Sequence, residues 1–415
     1  MALCCFESYL GGSMLLDSSP SEKLLLCCTR SKFDDQARRQ ILNLLEENIH
    51  WENFITQARH HGTAPSTYLH FKQLDNRIPE RVKDRLRKMY LWNVAHSLKL
   101  WSTLEVILRT FDQANIKAIP LKGIFLAERL HGHIGIRTSS DLDLLVRKED
   151  LPRTRNELAR IGYVPTRGPY SKEFIGKFLR HQGFSKPDPT HNGAYLEIHW
   201  NFCVKGRKEF DMSWIWKNAI SVDMDGFRLL TLSPSDTLLH VAISLRLHGY
   251  RSLKLFGDLY ALMARYQEEI DWHYVIRQAE GNAQRIGLYY ALYFAKELLD
   301  AGVPTRVLEQ INPGWLHNRL VCSLLNSKRI LHPTRESSPM MYSDLINLIT
   351  SDSLGDEVKV LVQLASSYSG ELALRYGLSS STKCGHFHRL LQVFHLARLV
   401  GRTLLGGKVY VTTLT

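Results

Sequence analysis

Seven cysteines, at positions 4, 5, 27, 28, 203, 322 and 384, do not make a disulfide framework: their number is odd, and no two stand as C-x-x-C, which also argues against a zinc site. Reduced thiols are expected, including at the adjacent pairs Cys4/Cys5 and Cys27/Cys28. Long apolar runs are missing too. Stretches such as Leu288–Phe294 fall well short of the ~20 residues that a membrane-spanning helix needs, so no span is expected. Residues 1–28 lack the ordered basic start, apolar middle and small-residue cleavage site of a secretory signal, and a cytoplasmic protein is the expectation. Without a dense Lys/Arg run or aromatics regularly interleaved with basic residues, a dedicated nucleic-acid module is not indicated. No internal repeat or low-complexity tract occurs.

What is present suits a globular chain: 415 residues, 44% hydrophobic and 23% charged. That length exceeds the roughly 250–300 residues at which single cores stop growing, so two or three lobes are expected. A net charge of +12 favours polyanionic partners, such as nucleotides, nucleic acid or an anionic surface, without choosing among them. Residues 1–35 have weak periodicity and read as a loosely structured lead. Residues 36–111 carry apolar positions at helical spacing, for example Leu91, Val94, Leu98 and Leu104, and read as an N-terminal helical lobe.

The character changes over residues 112–230. A short strand at Ile116–Leu121, a helix at Ile124–Leu130, an apolar strand at Leu142–Val146 and a helix at Lys148–Ile161 give the order β-α-β-α. A Gly- and Pro-rich loop follows, from Thr166 to Gly193, and then an alternating strand over Tyr195–Phe202. From residue 231 the pattern is helical again to roughly Gly401, beginning with the cap Ser233-Pro234-Ser235-Asp236. The fold class expected is α+β: a small mixed sheet with flanking helices, between N- and C-terminal helical lobes.

The informative motif is Arg137-Thr-Ser-Ser140-Asp141-Leu-Asp143-Leu-Leu-Val146. Side chains two apart on a strand share a face, so Asp141 and Asp143 converge on one site while Leu142, Leu144 and Val146 pack elsewhere. Two carboxylates on one face repel unless a cation lies between them, and Mg²⁺ (or Mn²⁺) is the candidate. Glu197, in the alternating run Tyr195-Leu-Glu-Ile-His-Trp200, supplies a third acid. Three carboxylates could hold two metals ~3.5–4 Å apart, one activating an acceptor hydroxyl and one bracing a leaving pyrophosphate. His199 shares the face of Glu197 and could contact substrate or orient the acid. Lys122-Gly123, between a strand and a helix, suits a triphosphate, because glycine admits phosphate to the backbone and the helix start offers free N–H groups. Arg137 could clamp the same phosphates, with Ser140 beside it, or be tied to one of the aspartates. His240 and His248 read as structural histidines, and Asp258 as a partner of Arg251 and Lys254. A basic amphipathic stretch, His386–Arg402, reads as the solvated face of a packed helix.

Leu-Lys-Gly, then Arg-x-x-Ser-Asp-Leu-Asp-Leu-Leu-Val, a helix ending in Ile161-Gly-Tyr163, and Leu-Glu-Ile-His-Trp together resemble the uncharacterised nucleotidyltransferases of the polymerase-beta superfamily. Ala58-Arg-His-His-Gly-Thr-Ala-Pro65 upstream, and Leu238-Leu-His240 with Phe256-Gly-Asp258-Leu downstream, are similar to that family's flanking helical segments, so the resemblance runs over about residues 40–330. It implies a minimal nucleotidyltransferase fold with Asp141, Asp143 and Glu197 as metal triad. It also implies transfer of a nucleoside monophosphate from an NTP such as ATP to a hydroxyl or phosphate on a peptide, sugar or other small acceptor. Phosphoryl transfer at the same site, or a non-catalytic nucleotide- or RNA-binding module, are the alternatives.

Overall fold

A computed structural model describes residues 18–353, apart from 31–32, 75–76, 167–179, 188–193, 204–208, 225–226 and 333–338, together with Gly355. The stretch His386–Arg402 lies outside the described residues. Helices lead the chain: α1 (Pro20–Thr29), α2 (Asp35–Leu45), α3 (Trp51–His60), α4 (Ala64–Lys72) and the 34-residue α5 (Glu80–Gln113). The sheet region follows with β1 (Ala118–Pro120), α6 (Gly123–His131), β2 (Asp141–Val146), α7 (Leu151–Arg160), β3 (Val164–Pro165), β4 (His181–Ser185) and β5 (Tyr195–His199). After α8 (Met212–Asn218) and the hairpin β6 (Ile220–Met224) and β7 (Phe227–Thr231), the chain is helical: α9 (Pro234–Leu247), α10 (Leu253–Tyr266), α11 (Trp272–Gly281), α12 (Arg285–Leu299), α13 (Thr305–Ile311), α14 (Trp315–Leu324), α15 (Ser327–Leu331) and α16 (Pro339–Ile349). The class is α+β with a small mixed sheet flanked by helices, as the sequence leads one to expect. No helix among the described residues is long and apolar enough to cross a membrane.

The five-stranded sheet runs β1-β2-β5-β4-β3, with β2 and β5 parallel and the other neighbours antiparallel. Its alternation sorts side chains onto two faces. Leu142, Leu144, Val146, Leu196 and Ile198 join Leu104, Ile107 and Phe111 of α5 and Leu158 of α7 in one core. The opposite face carries Asp141, Asp143, Glu197 and His199, while Leu145 belongs to the larger core built from the helices at both ends of the chain. The acids therefore face the helices, where α9 and α10 leave a cleft.

Those terminal helices form one body. A single cluster includes Leu24 of α1, Phe54 of α3, Leu238 of α9, Phe256 of α10, Leu292 of α12 and Leu331 of α15. Polar bonds stitch it together: His332 Nε2 lies 2.5 Å from Glu22 Oε1, and His61 Nε2 2.9 Å from the Leu331 carbonyl oxygen.

Three segments depart from the sequence expectation. Within the stretch 1–35, read as a loosely structured lead, residues 20–29 instead form α1. Its Leu24-Leu-Leu-Cys-Cys28 run is buried on every side, which erases the periodicity that would mark a helix. The span read as a loop from Thr166 to Gly193 contains β4, a five-residue strand whose central glycine weakens the strand pattern. The strand read as Tyr195–Phe202 ends at His199. Cys27, Cys28, Cys203 and Cys322, the described cysteines, are free thiols.

A reciprocal capping box starts α1: Ser19 Oγ accepts from the Glu22 amide at 3.3 Å, and Glu22 Oε2 accepts from the Ser19 amide at 2.6 Å. Ser19→Ala is expected to cost about 1 kcal/mol of stability in urea unfolding, because the side-chain acceptor for the first turn is lost.

Candidate functional site

The site begins at the turn that feeds β2. Ser139 Oγ donates to the Asp141 carbonyl oxygen at 3.1 Å, and Ser140 Oγ donates to Asp141 Oδ1 at 3.2 Å. Gly123 opens α6 directly opposite, with φ +70°, and a Cβ there would lie 2.6 Å from Ser139 Oγ. Glycine is required on both counts: the left-handed backbone and the close approach.

Asp143 is the best enclosed of the three acids on the sheet, 6% exposed. Its Oδ1 lies 3.4 Å from Lys122 Nζ and 2.9 Å from His199 Nε2. The same His199 nitrogen lies 3.3 Å from Glu197 Oε2. Held between two carboxylate oxygens, Nε2 carries the ring hydrogen and donates to them. Sheet register places Glu197 directly across from Asp143, and His181 across from His199. The other Glu197 oxygen, Oε1, lies 3.6 Å from His181 Nε2.

These neighbours pull the two aspartates apart in acidity. Burial pushes Asp143 upward, but Lys122 and the His199 hydrogen bond outweigh it and hold its carboxyl well below the usual carboxylate range. Asp141 is raised, by burial first and by the charge of Asp143 second. Glu197 is lowered: burial opposes this, and the His199 hydrogen bond and His181 overcome it. Burial and His199 lower the His181 ring to about 3, so it is a neutral imidazole with a lone pair to offer.

Lys122, Gly123, Arg137, Ser140, Asp141 and Asp143 line one cavity of about 470 Å³. Six of the seven residues singled out from sequence thus meet at one space, and Glu197 joins them through its place beside Asp143 in the sheet. Arg137 is placed differently from the sequence alternative that ties it to Asp141 or Asp143. Its Nε donates to both oxygens of Asp258, at 2.8 and 3.0 Å, with the two side chains 6% and 2% exposed. Asp258 accordingly pairs with Arg137, where the sequence suggested Arg251 and Lys254.

His181, Arg251, Lys254 and His60 escaped the sequence reading as site residues. Of these, His60, Arg251 and Lys254 form the cavity wall opposite the acids, and His248 lines it as well. Burial, then Arg137, lowers Lys254 to about 8. His240 is buried, its ring 4.6 Å from that of Phe202, and among the described residues neither ring nitrogen finds a hydrogen-bond partner.

The donor set fits a divalent cation. Three acids share one sheet face with the ammonium of Lys122 beside Asp143, and one ligand atom each from His181, Glu197 and His199 all lie within 4.8 Å of one another.

A family model described as "Uncharacterised nucleotidyltransferase" matches residues 47–300, more than half of the chain, from just before α3 to the end of α12. The matched span contains the acids, Lys122-Gly123 and the cavity-lining residues other than Ser343. No curated protein and no solved structure matches the chain.

Proposed function

We propose, from the premise that the chain belongs to the uncharacterised nucleotidyltransferase family, that it moves a nucleoside monophosphate from an NTP to a hydroxyl of a small acceptor at the cavity bounded by Asp141 and Asp143. The observation that carries this reading is the placement of Asp141, Asp143 and Glu197 on one face of two parallel strands, with Lys122-Gly123 at the start of a helix beside them. Asp141, Asp143 and Glu197 would hold the cation, which when bound neutralises phosphate charge and lowers the pKa of the acceptor hydroxyl. Lys122 and the free amides at the start of α6 receive the triphosphate. Gly123 lets the phosphates approach the backbone without obstruction. His199 positions the acids by donating to Asp143 and Glu197.

In the reaction the acceptor oxygen forms a bond to the α-phosphorus as the bond from that phosphorus to the β-phosphate oxygen breaks, and pyrophosphate leaves. The hydroxyl proton passes to water in the cavity. Catalysis comes mainly from positioning and from charge neutralisation in an enclosed space.

Parallel assays with NTP labelled at the α- or the γ-phosphorus test the bond that breaks. Label from the α position in the acceptor product, with γ label in pyrophosphate, is the expected result; γ label in the product would replace this reading with phosphoryl transfer.

The neutral imidazole of His181 beside Glu197 shifts the expected metal preference from Mg²⁺ toward Mn²⁺ or another first-row ion, since a nitrogen donor suits these better. Mn²⁺ binding followed by paramagnetic resonance is expected to weaken roughly tenfold in His181→Ala while Mg²⁺ competition changes little. Equal loss for both ions would remove His181 from the metal site.

A further inference from the structure

Behind the wall opposite the acids lies a second cavity, of about 540 Å³, which shares His60, Arg251, Ser252 and Lys254 with the first. Its far side adds Arg59 and Lys88 beside Met89 and Trp92. Among the described residues no aspartate or glutamate lines it. Neither Arg59 nor Lys88 forms an ion pair among the described residues, and Trp92 is 68% exposed. A space of this volume falls within the range of small-molecule sites, roughly 300–1,000 Å³.

The wall between the cavities is held in place from below. Gly249 and Tyr250 both adopt left-handed backbone, with φ +60° and +56°. For a bulky residue such as tyrosine this conformation is strained and persists only where surroundings fix it. Here the Tyr250 ring is wholly buried and its hydroxyl donates to the Gly287 carbonyl oxygen at 2.9 Å. The anchored turn sends the next residues, Arg251 and Ser252, between the two cavities. Across from it, Gly62 meets Thr138 and Lys254, and the Gly62 carbonyl oxygen accepts from Thr138 Oγ1 at 3.2 Å, so the helical side is pinned to the turn that carries Asp141.

Charge decides what the second cavity can hold. The triphosphate of an NTP is matched by the cation, Lys122 and the start of α6, and its ribose and base are neutral. Arg59 and Lys88, which line the second cavity and not the first, would then face nothing anionic in the nucleotide. We propose that this cavity binds the acceptor through a phosphate group, so that the molecule receiving the nucleotide is itself a small phosphate ester bearing a free hydroxyl. This rests on the nucleotidyl-transfer reading of the neighbouring site. The phosphate lodges between Arg59, Lys88 and Arg251, the apolar part of the acceptor lies against Met89 and Trp92, and the hydroxyl reaches past Lys254 toward the acids.

The test uses the full chain with Mn²⁺ and an α,β-methylene NTP, which fills the first cavity without reacting. Tryptophan emission is then titrated with inorganic phosphate, with ribose 5-phosphate and with ribose; Trp92→Phe identifies the signal that comes from this cavity. Phosphate and ribose 5-phosphate are expected to bind, with ribose at least roughly tenfold weaker, and R59E/K88E is expected to abolish that difference. Both substituted side chains are exposed, so the variant should fold, and its urea midpoint and its affinity for the NTP analogue should stay within about twofold of wild type. Equal binding of ribose and ribose 5-phosphate, or no phosphate binding with the analogue bound, would overturn the proposal. So would a loss of analogue affinity in R59E/K88E, which would assign the cations to the NTP, or binding of a short oligoribonucleotide alone, which would make this a polymer surface. Failure of the analogue to bind wild type is a separate result that strikes the nucleotidyl-transfer reading first.

Discussion

Asp143→Asn should abolish nucleotidyl transfer, lowering turnover by at least about a thousandfold, while leaving the chain folded. The magnitude follows from removing one ligand and one full negative charge in an enclosed site, where a single preorganised electrostatic contact is already worth roughly 10²–10³ in rate. The fold should survive because the substitution keeps the shape of the side chain and relieves repulsion with Asp141, which offsets the loss of the Lys122 and His199 contacts. Ser140→Ala is the graded control. Its hydroxyl touches Asp141 Oδ1 alone among the site acids, so a loss of no more than about tenfold is expected. Steady-state kinetics with denaturant unfolding on both variants separates a chemical defect from a folding one. An Asp143→Asn protein that retained wild-type turnover would remove the acids from the chemistry.

Asp258→Ala should be the most destabilising single change at the site, at about 3–5 kcal/mol, because it leaves the Arg137 guanidinium buried without its counter-charge. Arg137→Ala should cost nearly as much for the converse reason. A double replacement by apolar residues of similar volume, Arg137→Met with Asp258→Leu, should recover much of that loss, since a buried pair contributes little beyond what good packing supplies. Activity should not recover with stability. Arg137 sits four residues before Asp141, and Asn93 Nδ2 donates to the carbonyl oxygens of Gly135 and Arg137 at 2.8 and 3.3 Å, so the pair and Asn93 together fix the turn that aims the acids. Urea unfolding of wild type, the two alanine variants and the Arg137→Ala/Asp258→Ala double variant measures the pairwise coupling. Additive single-mutant costs would show that the contact is not an energetic unit.

Much of the site could be read from sequence because its grammar is local. Asp141 and Asp143 share a face by strand alternation alone, and Lys122-Gly123 falls between a short strand and a helix whose limits the residues themselves mark. Glu197 was legible as an alternating acid; the parallel register that sets it opposite Asp143 needed the fold. What escaped depends on distant segments. Arg137 and Asp258 are 121 positions apart, and nothing around either one names the other. His181 lay hidden in a stretch rich in glycine and proline, and only its pairing with His199 across β4 and β5 brings it to the acids. Two adjacent histidines, His60 and His61, split between roles: one lines the cavity of the acids, while the other is buried and donates from Nε2 to the Leu331 carbonyl oxygen. The burial of α1 shows the same limit from the other side, since a helix covered all round has no polar face to reveal its period.

Pyrophosphate release from each of the four NTPs, with Mg²⁺ or Mn²⁺ and with small phosphorylated acceptors added, measured side by side for wild type and Asp141→Asn/Asp143→Asn, tests the central claim most directly. Release by wild type with at least one NTP, dependent on the metal and absent from the double variant, is the expected result. Release that persists in the double variant, or its absence from wild type while both proteins bind NTP equally well without metal, would contradict it and leave a nucleotide-binding module in place of an enzyme.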